Sequence, residues 1–193
     1  MKNICVFCGS SAGNNSLYRD AAVELGNVLL SQDIGLVYGG ASVGLMGIVA
    51  DTVLEGGGRA TGVIPNFFSK TEIAHPSLTE LHYVDSMHER KNMMVELSDG
   101  FISLPGGFGT LDELFEVMTW AQLDLHVKPV GLLNISGYYD RLLELFDHMV
   151  NEGFVKQAHR DMMLVNSSPS PLVEAMKSYQ PVKLEKWLNR IKS

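Results

Sequence analysis

The segment with the clearest chemical potential is the run Pro-Gly-Gly-Phe-Gly-Thr-Leu-Asp-Glu at residues 105–113, which follows an apolar run at residues 101–104. A buried strand that turns through glycines into a helix gathers unpaired backbone amides and the positive end of the helix dipole, which together favour an anion such as phosphate. The Gly-Lys-Ser/Thr ending of a Walker loop is absent, so a monophosphate suits the turn better than a Mg-bound triphosphate. A structural alternative is a capping box, in which Glu113 bonds the amide of an N-cap Thr110. The proline and three glycines exceed what a cap needs and favour the anion site.

A carboxylate and a cation accompany this turn. We place Glu113 in the first helical turn, where we expect a low pKa and hence an anion that orients water or stabilises a cation. Arg90, in the segment Met-His-Glu-Arg-Lys-Asn at residues 87–92, is the best candidate to compensate the negative charge. A charged helix residue is more often solvated. Here, however, an apolar stripe at helical spacing passes beside Arg90 and not beside Glu89, which predicts a buried edge for Arg90.

Two further loops rich in small residues follow predicted strands. Residues 9–16 allow a ligand close to the backbone, or form an ordinary connection that ends in the N-cap Ser16. Residues 38–47, which include Gly39 and Gly40, superficially suggest dinucleotide binding. Their spacing is not G-x-G-x-x-G, and the next strand offers no acidic residue for a ribose diol, so an NAD enzyme is disfavoured.

Short apolar runs alternate with longer amphipathic segments throughout the chain, a pattern typical of βα units around a mostly parallel sheet. We predict strands at residues 2–8, 34–38, 59–64, 80–84, 100–104, 129–133 and 162–165, and helices at 17–30, 43–54, 86–97, 111–123, 138–150 and 171–179. In an open α/β sheet, ligands bind beyond the carboxyl ends of the strands, so we expect the three loops to converge on one crevice. We assign residues 1–180 to one domain with this crevice and 181–193 to a helical tail that docks on it.

The composition excludes several classes of protein. The chain has 193 residues with 15 basic and 22 acidic side chains, a formal charge of −7, which makes a broad nucleic-acid-binding surface improbable. The apolar run at residues 4–8 is shorter than a signal-peptide core, and no run is long enough to span a bilayer, so we expect a cytoplasmic protein without membrane contact.

The cysteine and histidine patterns favour structural roles. Cys5 and Cys8 form a C-x-x-C, but they lie in a predicted buried strand with side chains on opposite faces, so a redox pair is disfavoured. The six histidines show neither H-x-H nor H-E-x-x-H spacing, and we expect no metal site.

Together, residues 39–40 and 44–47, the Met-His-Glu-Arg-Lys of 87–91 and the glycine-rich run at 105–113 resemble the LOG (Lonely Guy) family of cytokinin riboside 5′-monophosphate phosphoribohydrolases. The resemblance extends from the first strand to about residue 165. It implies a Rossmann-like homodimer, or a higher homo-oligomer, that hydrolyses the N-glycosidic bond of a purine nucleoside 5′-monophosphate to the free base and ribose 5-phosphate. It implies no metal and no organic cofactor.

The resemblance also implies roles for individual residues. Arg90 and Glu113 fall on the essential arginine and glutamate of the family. Substrate-binding positions fall on Glu72, Arg90, Lys91, Gly107, Phe108, Gly109, Thr110, Leu111, Asp112, Glu113 and Thr119. We add Gly106 from the same turn, and also Gly39 and Gly40, because the purine is expected near that glycine turn.

Two other functions compete with this interpretation. A non-catalytic carrier resembling the molybdenum-cofactor carriers shares this type of fold, but a carrier of an anion gains nothing from Glu113 beside the phosphate. A pyridoxal-phosphate decarboxylase needs a Schiff-base lysine in a larger scaffold, and no lysine is placed for that role. The preferred base and any assembly beyond a dimer stay open.

Overall fold

The computed structural model describes residues 1–71 and 74–181 as a seven-stranded sheet with helices on both faces. The strands are β1 (Asn3–Phe7), β2 (Gly35–Tyr38), β3 (Ala60–Pro65), β4 (Glu80–Val84), β5 (Gly100–Ser103), β6 (Val130–Leu133) and β7 (Met163–Asn166). The helices are α1 (Ser16–Ser31), α2 (Gly44–Glu55), α3 (Met87–Glu96), α4 (Phe108–Gln122), α5 (Asp140–Asn151), α6 (Gln157–Arg160) and α7 (Pro169–Lys177). Two 3₁₀ segments lie at Asn66–Thr71 and Ile135–Gly137.

The order of the strands creates the ligand crevice. The sheet runs β4-β3-β2-β1-β5-β6-β7, and every pairing between neighbouring strands is parallel. The chain therefore winds outward from β1 in one direction and returns to add β5 on its other side. This reversal leaves a switch point at the carboxyl ends of β1 and β5, where open α/β sheets bind ligands. The predicted α/β class with a parallel sheet is confirmed.

Burial on both faces of the sheet explains the apolar strands. In β1, Ile4 and Val6 belong to the core on the side of α1, α2 and α7, whereas Cys5 and Phe7 belong to the core on the side of α3, α4 and α5. A central strand covered on both faces has no polar side, so it is a continuous apolar run. Cys8 follows β1 in the first core, so the two cysteines are buried and free on opposite faces, as predicted.

The predicted strands agree with the observed ones to within one or two residues, whereas several helix boundaries were wrong. Helix α1 is capped by Asn15, whose side chain accepts the Leu17 amide at 3.0 Å, and not by Ser16. Helix α4 begins at Phe108, three residues before its predicted start, and α7 begins at Pro169. The short α6 was not predicted, because four residues are too few to show helical periodicity.

Two further expectations concern the C-terminal tail and membrane-spanning segments. Residues 182–193, which form most of the predicted C-terminal tail, lie outside the described residues, and so does the predicted docking of that tail. Among the helices of the described residues, none is both long enough and apolar enough to span a bilayer.

Candidate active site

The three glycine-rich loops meet at the switch point. The Gly9 amide donates to the Pro105 carbonyl at 3.1 Å, which joins the end of β1 to the end of β5. The Leu45 amide donates to the Gly9 carbonyl at 3.0 Å, which brings the start of α2 onto the same loop. Gly44 has a φ of +60°, and a Cβ there would collide with the Ser10 backbone. The loops border a cleft of about 280 Å³, so their predicted convergence is confirmed.

Helix α4 begins without a side-chain cap. Its N-cap is Gly107, which lacks a side chain, so the structure does not contain the capping box with Thr110 as N-cap that was the alternative to the anion site. Thr110 is instead the third helical residue, and its side chain is buried against Gly106, where a Cβ would collide with it. Among the described residues, the amides of 107–110 donate no hydrogen bond. Unpaired amides at the positive end of a 15-residue helix form a site for an anion.

The outer and inner sides of the first turn of α4 differ in exposure. Phe108 is 94% exposed, and a Cβ at Gly107 or Gly109 would meet no atom within 4 Å. On the inner side, Leu111 packs partly buried against the core. The backbone at the start of α4 is therefore open to an incoming group, and these glycines keep it open.

A buried ion pair lies beside this turn. Arg90, on α3, donates from Nη1 to Oε1 of Glu113, on α4, at 2.6 Å. The two side chains are only 11% and 12% exposed. Arg90 also donates from Nε to the Val63 carbonyl of β3 at 3.1 Å. Its Nη2 lies against Gly39 at the end of β2, so closely that any Cβ at Gly39 would collide with it. The expected buried position of Arg90 is confirmed, and Glu89 is exposed.

The electrostatics of Glu113 differ from the expectation. Glu113 is the sixth residue of α4, beyond the first turn in which a helix N-terminus lowers the pKa of a carboxyl. Burial raises the pKa of Glu113 above its ordinary value, and the charge and hydrogen bond of Arg90 oppose that rise without cancelling it. The predicted low pKa was therefore wrong. A carboxyl with a raised pKa, in reach of one fixed cation, can act as an anion or exchange a proton.

Lys91 is held by α4 as well. Its Nζ lies 3.3 Å from Asp112 Oδ2 and 3.1 Å from Glu116 Oε1, and its side chain is 13% exposed. Burial lowers the pKa of Lys91, but its hydrogen bonds to these two carboxylates and their charges raise the pKa by more, so the net shift is upward. Sequence analysis missed Glu116, although its spacing from Asp112 places both on one helix face. Arg90 and Lys91 thus hold α3 to α4 through three carboxylates.

The other predicted site residues are more scattered. Gly40, with a φ of +76°, accepts the His75 amide at 2.9 Å, and His75 in turn pairs through Nε2 with Asp51 of α2 at 2.9 Å. Thr119 lies about 9 Å along α4 from Glu113, and its hydroxyl donates to the Phe115 carbonyl at 2.7 Å. It borders a separate groove of about 220 Å³, so the structure does not bring it together with Arg90 and Glu113. Glu72 lies outside the described residues.

Two tyrosines that sequence analysis missed hold the glycine-rich turn. Tyr138 donates from its hydroxyl to the Gly106 carbonyl at 2.6 Å, and Tyr139 donates to the Leu104 carbonyl at 2.6 Å. Both tyrosines follow the end of β6, which neighbours β5, the strand that leads into the glycine-rich turn. This position is the signal by which sequence analysis could have identified them.

No cluster of three or more histidine, cysteine, aspartate or glutamate side chains suited to a metal ion occurs within residues 1–71 and 74–181. At the switch point, the groups placed to bind a ligand include the amides of α4, the Arg90–Glu113 pair and the small residues of the first two loops. An anion-binding turn beside a buried carboxylate suits a substrate with a phosphate at one end and a developing positive charge further along.

Comparisons with known proteins agree with this chemistry. A protein-family profile described as "Possible lysine decarboxylase" matches residues 46–176. Cytokinin riboside 5′-monophosphate phosphoribohydrolase LOG1 of Arabidopsis thaliana is 51% identical over 93% of this chain and 84% of its own length. LOG4 of the same plant, which carries the same enzyme name, is 50% identical over 92% of this chain and 83% of its own length.

Solved structures share the fold at lower identity. The molybdenum cofactor binding protein of Rippkaea orientalis has a TM-score of 0.70 and 24% identity, covering 92% of this chain and 97% of that protein. The molybdenum cofactor carrier protein of Chlamydomonas reinhardtii has a TM-score of 0.69 and 22% identity, covering 92% and 96%. The solved structures show the fold alone. The identity of about half to the plant enzymes, over more than nine-tenths of this chain, and the family profile over residues 46–176 show that this chain belongs to the LOG family of cytokinin riboside 5′-monophosphate phosphoribohydrolases.

Proposed function

We propose that this protein hydrolyses the N-glycosidic bond of a purine nucleoside 5′-monophosphate, AMP or an N6-modified adenine nucleotide, and releases the free base and ribose 5-phosphate. The observation that carries the proposal is the buried Arg90–Glu113 pair beside the uncapped N-terminus of α4. The plant relatives, identical at about half of their aligned positions, are named as enzymes of this class.

The 5′-phosphate binds at the start of α4. The free amides of 107–110 supply hydrogen bonds and the helix dipole supplies a favourable potential, without any metal. Because the phosphate is remote from the bond that breaks, its binding energy fixes the ribose in place for the reaction. We assign substrate binding to Gly39, Gly40, Glu72, Arg90, Lys91, Gly106, Gly107, Phe108, Gly109, Thr110, Leu111, Asp112 and Glu113. Thr119 borders the separate groove and is left out of this set.

Glu113 supplies the charge that lowers the barrier. Cleavage at the anomeric carbon passes through an oxocarbenium-like state, in which positive charge develops on the sugar. A carboxylate that is 88% removed from solvent stabilises this charge more strongly than one in water. As the bond to the base breaks, its electron pair leaves with the purine and water adds to the anomeric carbon. A carboxylate at this position can accept the proton that water loses, and the purine takes up one proton, so one water is consumed overall. Arg90 keeps Glu113 in place and offsets part of the negative charge of the site.

The two competing functions have less support. A non-catalytic carrier is suggested only by structures at 24% identity or less, whereas the named hydrolases share about half of their residues with this chain. For a pyridoxal-phosphate decarboxylase, a candidate lysine is Lys91, which follows Arg90 on α3 and is held by Asp112 and Glu116. Such an ammonium has a raised pKa, whereas a Schiff-base lysine needs a lowered one.

We also propose that the protein acts as a homodimer in the cytoplasm, as the family resemblance implies. Apolar side chains exposed near the groove at α4, such as Phe115 at 38% and Phe154 at 85%, are suited to contact between subunits. Light scattering coupled to gel filtration measures the assembly, and a monomer across the assay concentrations contradicts the dimer.

The function is tested by incubating purified protein with AMP and with N6-isopentenyl-AMP while free base and ribose 5-phosphate are followed by chromatography. We expect both products in equal amounts, with the ratio of the two kcat/KM values identifying the preferred base. Glu113→Gln should abolish release of the base while nucleotide binding persists. A matched control is Glu144→Gln, which breaks the exposed Arg141–Glu144 pair, 2.7 Å in length and far from any predicted site residue in sequence. If the wild-type protein binds AMP but releases no base from either nucleotide, the proposal fails.

A further inference from the structure

The hydroxyl of Tyr138 determines the direction of one amide in the proposed phosphate site. Tyr138 donates to the Gly106 carbonyl at 2.6 Å, and within the described residues this carbonyl accepts no other hydrogen bond outside regular secondary structure. We propose that Tyr138 is a positioning residue for nucleotide binding, which acts through the Gly106–Gly107 peptide rather than by touching the reacting atoms. This inference rests on the proposed function, because it assigns the α4 turn to the 5′-phosphate.

The planarity of the peptide bond carries the argument. The Gly106 carbonyl and the Gly107 amide belong to one planar trans unit, so the hydrogen bond that fixes the carbonyl also points the amide in the opposite direction. That amide is the first of the unpaired group at residues 107–110. Glycine otherwise allows this peptide to rotate with little steric hindrance. The hydrogen bond from the Tyr138 hydroxyl therefore restricts the rotation of this peptide, which the glycines would otherwise permit.

Tyr138 is itself held rigidly. Its ring packs edge-on against Tyr139, with centroids 4.8 Å apart, and edge-on against Tyr18, with centroids 5.5 Å apart. The preceding turn includes Ser136 at a φ of +52°, and the Tyr139 amide donates to the Asn134 side chain at 2.7 Å. A hydroxyl on a fixed ring costs less entropy to bring to the carbonyl than a free one. Tyr138 as a whole residue is 42% exposed and lines the cleft, so the bond is formed at the mouth of the site.

The other side of the turn is fixed independently of Tyr138. Gly9 holds the Pro105 carbonyl, Tyr139 holds the Leu104 carbonyl, and the side chain of Thr110 fills the space beside Gly106. Removing the Tyr138 hydroxyl should therefore release one peptide and leave the fold of the turn in place. The expected consequence is weaker binding of the phosphate end of the substrate with little change in the chemical step.

The test is Tyr138→Phe in the full-length protein, which removes the hydroxyl and keeps the ring. Loss of one hydrogen bond of this kind should raise the KM for AMP about two- to tenfold. The value of kcat should stay within about twofold. By calorimetry, affinity for ribose 5-phosphate should fall by the same factor as KM rises, while affinity for adenine should not change. If Tyr138 had a purely structural role, the variant would not affect the binding of ribose 5-phosphate and of adenine differently.

Two variants serve as controls. Tyr18→Phe alters the same aromatic cluster. The Tyr18 hydroxyl makes no hydrogen bond within the described residues, so the KM of this variant for AMP should match that of the wild type. Tyr139→Phe removes the neighbouring hydroxyl from a different carbonyl, so it reports the effect of lost stability alone. If Tyr139→Phe weakens ribose 5-phosphate binding as much as Tyr138→Phe does, the positioning role is overturned.

The outcomes separate this inference from the proposed function. If the wild type hydrolyses AMP and Tyr138→Phe binds ribose 5-phosphate normally, the inference about Tyr138 fails and the function stands. If the wild type hydrolyses no nucleotide, yet binds ribose 5-phosphate in a Tyr138-dependent way, the function fails and the positioning role stands. No binding of ribose 5-phosphate to the wild type overturns the positioning role.

Discussion

Replacing Glu113 by glutamine removes one charge from the centre of the proposed site and almost nothing else. The amide keeps an oxygen that can accept the 2.6 Å hydrogen bond from Arg90, and the two side chains have the same shape. A unit charge about 4 Å from the anomeric carbon is worth about 4 kcal/mol at an effective dielectric constant of about 20. This corresponds to about 10³-fold in rate. Because Arg90 cancels part of the field, we expect kcat to fall about 10²- to 10³-fold.

The assay for this variant separates chemistry from folding and from binding. Loss of one partner of a buried ion pair costs up to about 3–5 kcal/mol of stability, so thermal unfolding must be recorded and kcat measured well below the transition. Binding of AMP, measured by calorimetry, should stay within about threefold of the wild type, because the phosphate site lies in the first turn of α4 and Glu113 in the second. The exposed control Glu144→Gln should retain full activity. A folded Glu113→Gln protein that binds AMP and keeps kcat within tenfold of the wild type refutes the electrostatic role.

Three further predictions follow from the same geometry. Because the pKa of Glu113 is raised above its ordinary value of 4.5, the acidic limb of the pH–kcat profile should lie above pH 4.5, and a limb at or below that value contradicts a role for the buried carboxylate. Gly39→Ala should lower kcat at least about tenfold, because its Cβ collides with the Arg90 guanidinium; a variant with normal kinetics would mean that Arg90 can move without consequence. Tyr139→Phe leaves the buried Leu104 carbonyl without this donor, so chemical denaturation should show a loss of about 1–3 kcal/mol with KM for AMP unchanged, and unchanged stability would contradict it.

The pairing of Arg90 with Glu113 has a consequence for how the site works. A buried arginine that holds a carboxylate at 2.6 Å, the β3 backbone at 3.1 Å and the Gly39 turn by contact links three elements around the proposed catalytic carboxylate. These three contacts fix the Arg90 guanidinium, and with it the carboxylate, before substrate binds. A charge that is already fixed in position lowers a barrier most. Lysine carries all of its donors on one nitrogen, so it cannot reach Glu113, the Val63 carbonyl and the Gly39 turn with three separate nitrogens as Arg90 does.

The sequence by itself determined the sheet and the chemical inventory. Strands buried on both faces must be short apolar runs, so β1, β2 and β5 could be placed within one or two residues. Glycines after such strands mark places where the backbone must approach another group, and they pointed to the crevice at the strand ends. Arg90 and Glu113 could be singled out because an arginine beside an apolar stripe and a glutamate after a glycine turn are both unusual for a solvated surface.

Only the tertiary structure decided how those residues interact. The N-cap of α4 is Gly107 rather than Thr110, and the Thr110 side chain packs against Gly106, a contact that local propensity does not encode. The raised pKa of Glu113 depends on burial by elements distant in sequence, which outweighs the helix position that suggested a low value. Tyr138 reaches Gly106 across 32 residues because β6 lies next to β5. Hydrogen bonds and desolvation act over a few ångströms in space, so they are known only once the strand order has brought distant segments together.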